Sequence, residues 1–142
     1  MDPETIFSLA GAAAMTGWAA LALSPLAPRW LLPYGGYVVP LALSGLYAAL
    51  ALWSLPSAEG GFGSLAEVAA LFAAPSALLT GWVHYLAFDL LVGGWEVRDA
   101  RVRGVPHWAV IPCLVLTLML GPLGLLAYLA ARAALSRKET TA

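Results

Sequence analysis

The stretch PSALLTGWVHYLAFDLLVGG, residues 75–94, decides how the rest of this chain is interpreted. It has the length that a helix needs to cross a bilayer, about 20 predominantly apolar residues. Near its middle it nevertheless carries His84 and Asp89. An ionised carboxylate at the centre of a membrane helix costs at least about 2.5 kcal/mol on insertion scales. Such groups need a polar partner, water or a metal, and they therefore indicate a functional site.

The composition of the whole chain is that of a membrane protein. Of its 142 residues, 61% are hydrophobic and 11% are charged, whereas soluble domains are about 45–50% apolar and about 25% charged. The net charge of −1 gives no reason to expect a nucleic-acid partner. The single cysteine, Cys113, cannot form an internal disulfide. We therefore expect an all-α protein that is integral to a membrane.

Four apolar stretches predict four transmembrane helices packed as a bundle. They cover about residues 4–23, 37–55, 75–94 and 108–130, and the last is expected to kink near Pro112 and Pro122. Ser64 and Glu67 fit the S-x-x-E capping box, so another helix begins there, either interfacial or as a bent first part of the third span. We predict a single four-helix domain over residues 1–135, with a polar tail over residues 136–142.

Four spans would put both termini on the same side of the membrane. Four arginines would then lie in two loops and three basic residues in the tail, and this balance leaves the orientation open. Small residues of the first span, between Gly11 and Gly17, favour close helix contact and allow a homodimer.

More polar groups follow the third span, in WEVRDARVRGVPHW, residues 95–108. If the helix continues, Glu96 and Asp99 fall near one stripe with Tyr85 and Asp89. His107 opens the fourth span after a short turn. A helical hairpin would bring these groups toward one end of the bundle, and two imidazoles with carboxylates suit iron, manganese or zinc. We predict that His84, Asp89, Glu96, Asp99 and His107 form either a metal site, with iron or zinc as the expected metal, or an acid–base site without a metal. The predicted catalytic residues are His84, Asp89 and His107.

Other interpretations of these residues stay open. His84 could be a hydrogen-bond partner between helices, and Glu96 and Asp99 could belong to a solvated loop with the nearby arginines, where ion pairs contribute little. The two histidines could instead be axial ligands of a haem. The aromatic residues around the polar groups are predicted to wall a pocket for a flat apolar ligand, although tryptophans also mark membrane interfaces; they are Trp82, Tyr85, Trp95 and Trp108.

The segments WVHYLAFDLLVGGWEVRDA and GVPHWAVIPCLVLTLMLGPLGLLAYL resemble the neoxanthin synthase-like family, small four-helix membrane proteins that include a plant member behind abscisic-acid deficiency. The shared features are W-x-H-x4-D-L, an Asp ten residues after the first, P-H, C-L and G-P-x-G-L-L. The polar positions that match are His84, Asp89, Asp99 and His107, whereas Gly94 and Glu96 depart from the plant pattern and suit bacterial-type members.

The resemblance implies a role around carotenoids, where the plant member converts an epoxy-carotenoid to an allenic one. We therefore expect an enzyme, most simply in a bacterial inner membrane, that opens or isomerises an epoxide or performs an oxygen-dependent conversion on a carotenoid or related isoprenoid. The alternatives are a non-enzymatic carotenoid- or retinoid-binding protein, which could be a partner in a pigment complex, and a bis-histidine haem protein.

Overall fold

The computed structural model describes residues 2–136, and within them every regular element is helical. The predicted tail, residues 136–142, lies outside the described residues except for Ser136. The helices are α1 (Pro3–Ala22), α2 (Pro28–Pro33), α3 (Val39–Ser54), α4 (Leu65–Ala73), α5 (Pro75–Arg103), α6 (His107–Leu120) and α7 (Pro122–Leu135). A π-helical turn, Tyr34–Val38, joins α2 to α3, and a single 3-10 turn, Leu55–Ser57, follows α3.

Three helical stretches are long and apolar enough to span a membrane: Pro3–Ala22, Pro28–Ser57 and Pro75–Arg103. They correspond to the first three predicted spans. The third continues well beyond residue 94, so Glu96 and Asp99 lie on a helix rather than in a loop. It ends at Gly104, whose φ of 69° is accessible to glycine at little cost, and the amide of Val105 bonds back to the carbonyl of Ala100 at 2.9 Å.

Contacts at the two ends of the molecule establish the helix directions. The hydroxyls of Ser54 and Thr80 lie 2.9 Å apart, so the end of α3 meets the beginning of α5. His107, just beyond the end of α5, contacts the carbonyl of Ala22 at the end of α1. Helices α1 and α5 therefore run in the same direction and α3 runs opposite to them.

The predicted fourth span, residues 108–130, is wrong as a single kinked helix, because the chain reverses direction at Gly121. Tyr85 on α5 reaches the carbonyl of Leu118 near the end of α6. Tyr128 and Arg132 on α7 instead contact Asp99, fourteen residues further along α5. Helix α7 therefore runs back beside α6, and we call the pair, residues 107–135, the hairpin. Each of its helices has 14 residues, about 21 Å, which is shorter than the ~30 Å apolar core of a bilayer.

Glycines make this reversal sterically feasible. Gly121 has φ +40° and ψ −94°, a backbone conformation that side chains disfavour. A Cβ at Gly124 would overlap the backbone of Thr117, so α6 and α7 approach closely there. Pro122 then occupies the first turn of α7, where its missing N–H costs nothing. The sequence GPLG is therefore a turn between two helices.

The reversal also changes the distribution of charge and the positions of the termini. Within residues 2–136, the five arginines all lie toward the end where α1 and α5 finish, which we call the arginine end; they are Arg29, Arg98, Arg101, Arg103 and Arg132. The beginnings of α1, α4 and α5 lie at the other end. Because α7 returns to the arginine end, the two ends of the described chain lie at opposite ends of the molecule. Four spans would instead have put both termini at the same end.

Helix α4 is separate from α5 and begins at the predicted cap, but the Glu67 carboxylate accepts from the amide of Gly63, at 3.0 Å, rather than from that of Ser64. The Ser64 hydroxyl accepts from the amide of Glu67 at 3.2 Å. Only Leu71 of this helix is buried, and the chain bends at Ala74 before α5 begins at Pro75.

Candidate functional site

The most polar interior surface of the molecule lies between α5 and the hairpin. Asp89, Glu96 and Asp99 are separated by seven and three residues, so they project from one face of α5. That face packs against α6 and α7. The three carboxylates differ in how completely the hairpin satisfies their hydrogen-bonding capacity.

Asp99 is fully paired. It accepts a 2.7 Å hydrogen bond from the hydroxyl of Tyr128 and forms ion pairs with Arg103 at 2.9 Å and Arg132 at 3.3 Å. Tyr128 is completely buried, and its ring meets Trp95 edge to face with centroids 5.5 Å apart. Two of these partners come from α7, so Asp99 holds the hairpin against α5. This arrangement points to a structural role.

Glu96 is 0% exposed, and the hydroxyl of Thr117, also 0% exposed, donates to its Oε1 at 2.9 Å. Its Oε2 has no hydrogen-bond partner among residues 2–136. Leaving a buried polar atom without a partner costs about 1–3 kcal/mol. Glu96 therefore depends strongly on its single contact with α6.

Asp89 lies beside the hairpin turn and keeps one oxygen unsatisfied. A Cβ at Gly121 would stand 2.8 Å from Oδ1 of Asp89, so the glycine leaves the room that this carboxyl group occupies. Its buried Oδ2 has no partner among the described residues. Tyr85 lies one turn earlier on the same face, and its hydroxyl donates to the carbonyl of Leu118 at 3.1 Å.

An apolar cavity of about 490 Å³ begins at Tyr85 and opens where α1, α4 and α5 meet. Three aromatic rings form one wall: Trp82 packs 5.6 Å from Phe7 and 5.4 Å from Tyr85, centroid to centroid. The cavity is lined by Pro3, Glu4, Phe7, Phe72, Pro75, Leu78, Leu79, Gly81, Trp82 and Tyr85. Its volume lies within the range of about 300–1,000 Å³ that is typical of small-molecule sites.

The two histidines lie outside the carboxylate face of α5 and far from each other. His84 is exposed on another face of α5, where its ring stacks on Phe88 at 4.6 Å and meets Tyr47 at 5.2 Å. His107 lies at the arginine end, where Nε2 is 2.8 Å from the carbonyl of Ala22. The helix between His84 and Arg103 is about 28 Å long.

The predicted five-residue metal site is therefore not assembled, because its members occupy separate faces and ends of the bundle. Across residues 2–136, no three or more His, Cys, Asp or Glu side chains are grouped so that they could hold a metal. Within one chain, the separation of the histidines also prevents both from ligating the same haem iron. The structure brings together Asp89, Glu96 and Asp99 along one seam and leaves both histidines outside it.

Two of the four predicted pocket residues, Trp82 and Tyr85, line the cavity. Trp95 instead packs on Tyr128, and Trp108 is 72% exposed. The sequence did not indicate Phe7, which reaches the cavity from α1, or the pairing of Thr117 with Glu96. Thr117 offered a weak signal as a lone hydroxyl in an apolar helix.

Comparison with known proteins identifies one family. The family model described as ABA DEFICIENT 4-like matches residues 5–128, which include most of the cavity lining, the carboxylate face of α5 and the hairpin turn. No curated protein and no solved structure matches the chain.

Proposed function

The chain belongs to the ABA DEFICIENT 4-like family, and on that premise we propose that it is a membrane enzyme that isomerises an oxygen-bearing end group of a carotenoid or related isoprenoid. Family membership fits a carotenoid-related membrane protein. The finer proposal, an enzyme with Asp89 as its proton-transferring residue, is supported by the position of that residue one turn from Tyr85, which lines the cavity.

The observation that carries the proposal is the adjacency of an aromatic cavity and a carboxyl group with a free oxygen. Tyr85 lines the cavity, and Asp89 follows four residues later, about 6 Å along the helix axis. Oδ2 of Asp89 is buried and unpartnered. A cavity walled by Phe7, Trp82 and Tyr85 suits the ring of an isoprenoid, while its open side lets a long polyene remain among lipid chains.

Epoxide isomerisation needs only proton transfers, which this arrangement can supply. A base removes a proton from the carbon chain next to the epoxide, the electron pair forms a new carbon–carbon π bond, and the ring C–O bond breaks. The oxygen then takes up a proton, so no atom or electron is gained or lost overall. We propose that Asp89 transfers one of these protons and that the Tyr85 hydroxyl orients the oxygen.

The test is conversion of an epoxy-carotenoid by the purified protein in liposomes, followed by product chromatography and absorption spectra. We expect Asp89→Asn to lower the turnover rate by about 10²-fold or more, which is the usual contribution of a general acid or base. Tyr85→Phe should lower it less, because only a hydroxyl is lost. Glu59→Gln, in an exposed loop and outside the cavity lining, is the carboxylate control and should convert normally.

Pigment binding measured on the same samples separates the alternatives. Asp89→Asn should still bind carotenoid, because the aromatic wall is intact. If the unaltered protein retains carotenoid without ever producing an isomer, the protein is a pigment-binding protein and the enzyme proposal fails. If His84→Ala abolishes turnover while Asp89→Asn does not, the reacting groups lie on the other face of α5.

A further inference from the structure

We propose that a cleft at the arginine end binds the phosphate headgroup of an acidic glycerophospholipid. Two adjoining cavities form this cleft and share Pro28 and Arg101. The larger, about 480 Å³, is also lined by Arg29, Arg98 and Tyr37. The smaller, about 330 Å³, reaches inward to Ser24 and His107. The cleft lies at the opposite end of α5 from the aromatic cavity, and its occupant is independent of the proposed enzymatic activity.

The arginines of the cleft have no carboxylate partner within the described part of the chain. Both ion pairs found there involve Asp99, and they use Arg103 and Arg132. Arg29, Arg98 and Arg101 therefore concentrate positive charge beside one cavity without neutralisation. Guanidinium groups form paired hydrogen bonds with phosphate oxygens, which makes a phosphate the chemically matched ligand.

Contacts restrict two of the three arginine side chains, whereas Arg101 is exposed. Arg98 lies 4.3 Å above the ring of Tyr37, and its Nη1 is 3.4 Å from the carbonyl of Gly36. Arg29 lies 5.3 Å from the ring of Trp30. Because these contacts already restrict the side chains, a ligand would lose less affinity to ordering them.

A buried hydroxyl in the cleft provides the second observation. Ser24 is 1% exposed, and its Oγ has no hydrogen-bond partner among the described residues. It lines the smaller cavity together with Arg101 and His107. An unsatisfied buried donor is costly, and a phosphate oxygen would satisfy it.

The surroundings favour a lipid over free phosphate. The larger cavity also touches Leu32 and Pro33, so apolar surface lies beside the arginines. It opens along Pro28–Ser57, a stretch suited to span the membrane, and Trp30 beside it is 71% exposed, as interfacial anchors are. A glycerophospholipid could place its phosphate among the arginines and its acyl chains along this helix.

The test is a lipid titration of the detergent-purified chain, followed by its thermal unfolding. Phosphatidylglycerol should raise Tm at concentrations where phosphatidylcholine and inorganic phosphate do not. Arg101→Gln should weaken the apparent affinity for phosphatidylglycerol by about tenfold, because a charge-assisted pair of hydrogen bonds is lost. Arg103→Gln is the matched control, because Arg103 lies at the same end of the molecule but is paired with Asp99. The affinity of this variant for phosphatidylglycerol should stay within about twofold of that of the unaltered protein.

Ser24→Ala tests the buried hydroxyl without risking the fold. It should leave Tm in the absence of lipid unchanged or raised, because it removes an unsatisfied group. It should weaken phosphatidylglycerol binding by roughly three- to tenfold, the effect of one hydrogen bond. Equal losses in Arg101→Gln and Arg103→Gln would indicate general surface attraction and overturn the proposed site. Protection by inorganic phosphate alone at the same concentrations would overturn the lipid assignment, and unchanged affinity in both Arg101→Gln and Ser24→Ala would overturn the cleft itself.

Discussion

The contact between Thr117 and Glu96 gives the sharpest prediction about how the hairpin is held. Thr117→Val replaces a hydroxyl by a methyl group of nearly the same size. Among residues 2–136, it removes the only hydrogen bond that the Glu96 side chain accepts and leaves both carboxyl oxygens unsatisfied in a fully buried position. We therefore expect the variant to fold with a lower free energy of unfolding.

The magnitude follows from comparing two general values. Hydrogen bonds between membrane helices contribute about 0.6 kcal/mol on average, up to about 1.7 kcal/mol. Stranding a buried polar group costs about 1–3 kcal/mol. Because the second oxygen of Glu96 has no partner in the described part of the chain, we expect a loss of about 1–2 kcal/mol, which is roughly five- to thirtyfold in the folding equilibrium constant.

The assay is reversible unfolding in mixed detergent, followed by tryptophan fluorescence and circular dichroism. Thr117→Ser is the control that keeps the hydroxyl, and it should cost no more than about 0.8 kcal/mol for the lost methyl group. In a double-mutant cycle, Glu96→Met should harm the Thr117→Val protein less than the unaltered protein, because the stranded carboxyl group is removed together with its lost partner.

The reasoning fails if Thr117→Val loses less than about 0.5 kcal/mol, or if Thr117→Ser loses as much as Thr117→Val. The first result would mean that the pair contributes no more than an average contact. The second would mean that packing of the methyl group, rather than the hydrogen bond, stabilises the seam.

Two further predictions concern the hairpin and the course of the chain. Reporter domains fused before α1 and after Ser136 should be found on opposite sides of the membrane. The reporter after Ser136 should be in the cytoplasm, because positively charged ends of membrane proteins stay inside. Reporters on the same side would contradict the reversal at Gly121. Gly124→Ala should lower the free energy of unfolding by about 1–3 kcal/mol, because its Cβ would overlap with the backbone of Thr117. The control is Gly45→Ala, where a Cβ meets nothing within 4 Å, and it should leave the free energy of unfolding unchanged or raise it by up to about 1 kcal/mol in the same assay. Equal effects would refute the close packing of α6 and α7.

The local features of the fold could be predicted from the sequence because they depend on neighbouring residues. Apolar runs of sufficient length identify the first three spans. Ser64 and Glu67 form the helix cap that the S-x-x-E pattern predicts. The seven- and three-residue intervals between Asp89, Glu96 and Asp99 place them on one face of any helix that contains all three.

The reversal at Gly121 could not be read from the sequence, because glycine and proline there are equally compatible with a kink and with a turn. What decides between them is the fit of Gly124 against Thr117 and the contacts of Tyr128 and Arg132 with Asp99. The two contacts with Asp99 join residues 29 and 33 positions apart. Such pairings depend on how whole helices pack.

By itself, the sequence determined that this is an all-α membrane protein of the ABA DEFICIENT 4-like family with titratable groups on a long membrane helix. The sequence also determined the relative directions of His84 and Asp89. These residues are five positions apart, so their side chains point about 140° away from each other on an ideal helix. Which of these faces meets the hairpin was decided only by tertiary packing. The seam forms where α6 and α7 supply hydroxyl and guanidinium partners to Glu96 and Asp99, and His84 on the other face is left outside it.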